Sequence, residues 1–150
     1  MITTTEKEQK LIKELIIINN DRYEGYKTAS DETKDSDLKP LFNRFSAQSK
    51  QFASELSRFI SYEDAPDDGE TKHSGKLYRV WMDIKAAITA NDRKAILASC
   101  EFGEDVALKT YKDALDEAGA VTEDARMVIN RHKTELQEAH NYIKSLRDNA

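Results

Sequence analysis

Residues 38–59 read LKPLFNRFSAQSKQFASELSRF, and the apolar side chains return at Leu38, Leu41, Phe45, Phe52, Leu56 and Phe59. Steps that alternate between three and four residues keep one helical stripe facing inward, the pattern of a bundle seam. Asp35-Ser36-Asp37 precedes the stretch as a helix-ending and capping cluster, and Pro40 is tolerated in a first helical turn. The helix is expected to run to about Ser61.

Its neighbours have the same character. Upstream, Thr5 and Glu8 have capping-box spacing, and a helix to about Thr33 carries Leu11, Leu15, Ile18, Tyr26 and Ala29 on one stripe. Downstream, residues 62–75 gather Pro and Gly into a loop, and a shorter helix follows with Leu77, Val80, Trp81, Ile84, Ala87 and Ile88 on one face. Asn91-Asp92 breaks that helix and caps a fourth, which is expected to end near Ala118, with Gly119 as a left-handed terminator. Thr122 opens the last helix, whose stripe is Ala125, Ile129, His132, Leu136, Ala139, Ile143 and Leu146.

The pattern predicts an all-α, single-domain fold over residues 1–150. Four helices are long, at roughly 25 to 30 residues or roughly 40 Å each. The first and last pairs are joined by tight turns and should form antiparallel hairpins. The stretch between the hairpins, residues 62–91, is long enough to return along the whole bundle. An up-down-up-down bundle with a decorated loop is the alternative.

Composition narrows the function classes. With 23 basic against 28 acidic residues, the net charge is −5, which argues against a nucleic-acid partner. No apolar run approaches the roughly 20 residues of a membrane span, and no secretory signal is expected at the N-terminus. One cysteine, Cys100, excludes a disulfide framework and fits a reducing cytoplasm. Phosphate loops, nucleophile elbows and Cys-x-x-Cys pairs are absent. The acidic loop around Asp67-Asp68-Gly69 fails as a calcium loop, because Pro66 and Gly75 fall where oxygen ligands are needed.

Polar residues interrupt the apolar stripes near the middle of the long helices. Glu104 lies seven residues from both Leu97 and Tyr111 in the seam of the fourth helix. A buried carboxylate must be paired, coordinated or protonated. Arg22 is its seam-facing candidate partner, with Asp21 and Glu24 beside it. The second helix offers Gln48 or Ser49, and the last helix offers His132 with Glu135 three residues on. Midpoints meet at one level in an antiparallel bundle, so these groups can share a site. His140 is expected to be half-exposed and idle, and His73 lies in a loop without a second ligand. Cys100 reads as a small core residue.

The segments INNDRYEGY, FNRFSAQSKQFASEL, KLYRVWMDIKAAI and CEFGEDVALKTYKDAL together resemble a bacterial family of unknown function described as ferritin-like four-helix bundles. The resemblance spans residues 6–148 and rests on Asp21 before Gly25-Tyr26, Trp81, and Gly103-Glu104 before Tyr111. It implies a ferritin-like bundle with a long crossover carrying one short extra helix. The superfamily pattern implies carboxylates and two Glu-x-x-His pairs around two metal ions. Glu104 and Asp21 or Glu24 match it, whereas the second helix has Gln48 and Gln51, and His132-x-x-Glu135 runs in reversed order.

Two function classes follow. In the first, the chain is a non-catalytic cytoplasmic bundle protein with no cofactor. Asp21, Arg22, Gln48, Glu104 and His132 then form a mid-bundle polar cluster that is structural or holds a small ligand. In the second, it is a degenerate di-metal protein or oxidase in which Asp21, Glu24, Glu104, His132 and Glu135 ligate iron or manganese. Homo-oligomerisation through outer helix faces is compatible with either.

Overall fold

The computed structural model describes residues 4–72, 75–117, 119 and 121–150. It contains α1 (Thr4–Glu32), α2 (Leu38–Leu56), α3 (Lys76–Thr89), α4 (Arg93–Asp116) and α5 (Glu123–Asp148), with a 3-10 turn at Ser57–Phe59. No strand occurs among the described residues, so the protein is an all-α bundle. None of these helices is long and apolar enough to cross a membrane.

Side-chain pairings set the direction of each helix. Ser30 of α1 donates to the Lys39 carbonyl of α2, and Arg22 reaches Ser49, so α1 and α2 are antiparallel. Asn19 meets Tyr111 and Arg22 meets Glu104, so α4 is also antiparallel to α1. Against α5, α4 pairs Tyr111 with His132 and Glu101 with Arg147, while α2 pairs Glu55 with His132. Both α2 and α4 are therefore antiparallel to α5 and run the same way. The order is up-down-down-up, and the chain between α2 and α4 must return along the bundle's length.

That crossover is held to α1 at several points. The Gln9 amide accepts from the Ser61 backbone N–H at 2.6 Å and donates to the Phe59 carbonyl at 2.9 Å. This tertiary clamp ends α2 as an α-helix at Leu56, earlier than the expected Ser61. Further on, Asn20 donates to the Glu70 carbonyl, and the Lys72 backbone N–H donates to Asp21. Then α3 packs across α1 and α4, where glycines allow it. A Cβ on Gly25 would stand 2.1 Å from the Trp81 ring, and one on Gly103 would stand 3.0 Å from Val80.

Helix ends follow local chemistry, with some departures from expectation. Asp92 accepts from the Ala95 N–H as a cap, after Asn91 turns the chain at φ +55°. Gly119 adopts φ +71°, as a terminator should, although α4 ends at Asp116 and Ala118 lies outside the described residues. Asp37 makes no side-chain cap. Its carboxylate forms a two-pronged bond with Arg93 at 2.8 and 2.9 Å, tying the α1–α2 turn to the start of α4. The Thr5 side chain lies outside the described residues; Glu8 does not close a local box but accepts from the Thr122 N–H that opens α5.

Two apolar clusters fill the interior. One gathers Tyr26, Phe42, Phe45, Ile84, Leu97 and Ile143, and the other gathers Ile12, Leu15, Phe52, Leu56, Ile129 and Leu136. Between them lies a layer of buried polar side chains: Asn19, Arg22, Ser49, Glu104 and His132.

Candidate functional site

Each side chain of that layer sits in a seam position of its helix. In α1 the buried series is Ile12, Leu15, Asn19, Arg22, Tyr26 and Ala29, continued by Thr33 just past the helix end, a strict alternation of three- and four-residue steps. The series Phe42, Phe45, Ser49, Phe52 and Leu56 does the same in α2. Leu97, Cys100, Glu104, Ala107 and Tyr111 do so in α4, and Ile129, His132, Leu136 and Ala139 in α5. The polar residues therefore replace apolar ones in the core without disturbing the helices that carry them.

At the centre, Arg22 and Glu104 form an ion pair at 2.9 Å, with side chains 2% and 1% exposed. Arg22 Nε stands 3.2 Å from both Glu104 oxygens, and the second terminal nitrogen reaches the Phe45 carbonyl and Ser49 Oγ. Tyr26 donates its hydroxyl to Glu104 Oε1 at 2.5 Å. The guanidinium is flanked by the Tyr26 and Phe45 rings, 5.1 and 5.3 Å from their centroids. Burial opposes the charge on Arg22, but Glu104 outweighs it and holds the guanidinium above its usual range. Desolvation and the Glu104 charge push Tyr26 well up, so its proton stays on the phenol.

A one-way chain of hydrogen bonds leads from this pair to the surface. Arg22 donates to Ser49 at 2.8 Å, Ser49 to Asn19 Oδ1 at 2.9 Å, and Asn19 Nδ2 to the Tyr111 hydroxyl at 2.7 Å. Tyr111 thus has its own proton to give to His132 Nδ1, 3.0 Å away. His132 must then carry a proton on Nε2, which donates to Glu55 Oε1 at 2.8 Å. Phe52 stacks on the imidazole at 3.9 Å. Burial pushes His132 down to about 4 despite the Glu55 carboxylate. Burial works against ionisation at Glu55 too, but the bonds from His132 and Arg131 hold its carboxyl below the usual range. The chain begins on a buried cation and ends on a half-buried anion.

Of the five residues expected to share a polar cluster, Arg22, Glu104 and His132 lie in this layer. Asp21 and Gln48 do not. Asp21 is turned to the crossover, where its carboxylate accepts from the Lys72 N–H at 3.2 Å. Gln48 is half-buried on the α2–α5 side, and its buried Oε1 has no hydrogen-bond partner. Ser49 takes the inward position instead. Asn19, Tyr26, Tyr111 and Glu55 complete the network; the first three share seams with residues already singled out, and Glu55 stands four residues after Gln51 on the outer edge of α2.

The metal-ligand set of the alternative reading is not assembled. Glu24 is exposed on α1, Glu135 pairs with Arg131 on the outer side of α5, and Asp21 faces the crossover. No group of three or more His, Cys, Asp and Glu side chains among the described residues is placed to hold a metal ion. The cation beside Glu104 is the Arg22 guanidinium, so the donor set does not fit a di-metal centre. Cys100 is buried, and desolvation pushes its thiol up, which leaves no thiolate for chemistry. His140 is half-buried, as expected, and its Nε2 lies 2.9 Å from Asp105 and 3.6 Å from Glu101, next to Arg147. His73 lies outside the described residues.

Fold and site define a class: a four-helix bundle with one long crossover and a closed polar layer at mid-height. Residues 7–117 match the family described as a domain of unknown function (DUF2383), and the chain belongs to that family. No curated protein matches it.

Proposed function

We propose that this is a non-catalytic cytoplasmic protein on a ferritin-like scaffold, whose polar layer fixes the register of four helices and whose work is done by binding at its outer faces. One observation carries the reading: Glu104, the residue best placed to ligate or catalyse, has both oxygens committed to Arg22 and Tyr26. A buried ion pair adds little net stability over apolar packing, but it makes any other helix register expensive, because a slip leaves a charge unpaired. The up-down-down-up path supports the ferritin-like scaffold. The net charge of −5 supports partners other than nucleic acid. Self-association through the outer helix faces belongs to the same proposal.

The test is thermal melting with and without Fe(II) or Mn(II) under anaerobic conditions. An unchanged melting temperature is expected. A ligand that binds the native state at 100 times its Kd adds about 2.7 kcal/mol. A rise of that order in the wild type, absent in Glu104→Ala, would revive the iron or manganese reading. Light scattering addresses assembly: a mass above 17.1 kDa is expected if copies pair, and a monomer at all concentrations removes that part of the proposal.

A further inference from the structure

On the flank away from α5, α1 and α3 enclose a groove of about 200 Å³. Its two walls differ sharply. Asp21, Glu24, Thr28 and Glu32 line the α1 side at steps of three, four and four, so the carboxylates form one row. At 1.5 Å per residue the row is about 16 Å long. The α3 side is aromatic and aliphatic, with Tyr78, Trp81, Met82 and Ile88. Tyr78 and Met82 stand 41% and 48% exposed, although they belong to a face that could have been polar at no cost to the core. Gly25 brings the Trp81 ring directly onto the α1 backbone and makes the groove's floor.

The charge is one-sided. Lys85 is the single cation among the lining residues, against three carboxylates. Neither Glu24 nor Glu32 has an ion-pair partner among the described residues, whereas Asp21 is anchored to the crossover. A row of anions facing an apolar wall complements a ligand that alternates positive charge with hydrocarbon. At about 200 Å³ the groove is smaller than drug-sized sites, and together with the row of carboxylates about 16 Å long it suits a small elongated ligand.

We propose that the α1–α3 groove binds a linear aliphatic polyamine. Its ammonium groups pair with Glu24, Glu32 and the Asp21 end of the row, and its methylene stems lie along Trp81 and Met82. An ammonium over the Trp81 or Tyr78 face gains a cation–π contact. The site is separate from the polar layer, so a null result here leaves the account of Arg22 and Glu104 standing.

Trp81 is the only tryptophan, so its emission reports on the groove directly. The full chain is titrated with spermidine, with butylamine and Mg²⁺ as comparators, following emission and heat. One-to-one saturable binding of spermidine is expected, with little response to butylamine or Mg²⁺ and weakening as salt rises. Glu24→Gln and Glu32→Gln, both at exposed positions, should each weaken binding by about two- to five-fold. Lys85→Gln should tighten it. No change in emission or heat overturns the proposal. So does an equal response to Mg²⁺, which would mark general counterion binding, or an unaltered affinity in the double variant Glu24→Gln/Glu32→Gln. Binding of a lysine-rich peptide without any binding of spermidine would assign the groove to a protein partner and overturn it equally.

Discussion

Replacing Glu104 by Gln keeps the side chain's shape and removes only its charge. The Tyr26 hydroxyl still finds an oxygen at the position now 2.5 Å away, and the apolar clusters on either side are untouched. What changes is Arg22, which becomes a buried cation with no counter-charge at 2% exposure. Breaking a buried pair from one side costs about 3–5 kcal/mol. For a chain of this size each kcal/mol moves the melting temperature by about 2–4 °C, so a fall of roughly 6–20 °C is expected. Arg22→Met should cost a similar amount by stranding the carboxylate. The double variant Arg22→Met/Glu104→Met strands no charge: the Tyr26 hydroxyl loses its acceptor, at about 1–3 kcal/mol, while Ser49 loses a donor but still donates to Asn19. Its cost should therefore be no greater than that of either single variant and far below their sum. Urea unfolding followed by Trp81 emission and helical circular dichroism gives the three free energies. Additive single variants, or a loss under about 1 kcal/mol in Glu104→Gln, the range of an exposed pair, would refute the reasoning.

Further outcomes follow from neighbouring contacts. His132 is favoured in its neutral form by folding, from 6.5 down to about 4, so its contribution is complete above pH 6.5 and is lost as pH falls toward 4. The loss amounts to about 3 kcal/mol at about 1.36 kcal/mol per unit, and a stability–pH curve that stays flat from pH 7 to 4.5, relative to His132→Gln, would contradict it. Tyr111→Phe removes the hydroxyl between Asn19 and His132, leaving the Asn19 amide without its acceptor. A cost of about 1–3 kcal/mol is expected in denaturant unfolding, and none would show the chain is not continuous. Gly25→Ala drives a methyl into the Trp81 ring, so about 1–3 kcal/mol should be lost and Trp81 emission should shift to the red. Unchanged emission would mean that α3 does not rest on α1 there.

The architecture was legible because seam spacing survives in every long helix, and because the connection between hairpins is too long for a simple turn. The pairing of Arg22 with Glu104 was legible as well, since a carboxylate at seven residues from Leu97 and Tyr111 has to be buried and needs a partner. Reading the α1 stripe through Leu11 and Ile18 was the main error. The structure leaves both only partly buried and takes Ile12 and Asn19 inward, because the strict three–four alternation running back from Tyr26 and Arg22 passes through them. A polar residue at Asn19 conceals that alternation from any search for apolar side chains. Gln48 misled for the same reason: Ser49 keeps the step of four from Phe45 and three to Phe52. Glu55 carried no signal of its own, because it lies off the α2 seam and joins the network only through its contact with His132 on α5. End positions shifted where distant residues intervened, as Gln9 does at the end of α2 and Glu8 at the start of α5.

The central claim is a closed hydrogen-bond chain from Arg22 to Glu55, and the proton on His132 records whether it exists. Nitrogen-15 NMR of the imidazole across pH reads both tautomer and titration. The account predicts a neutral ring with its proton on Nε2, persisting to about pH 4. A proton on Nδ1, or titration near the ordinary 6.5, would contradict it and open the centre of the bundle to water.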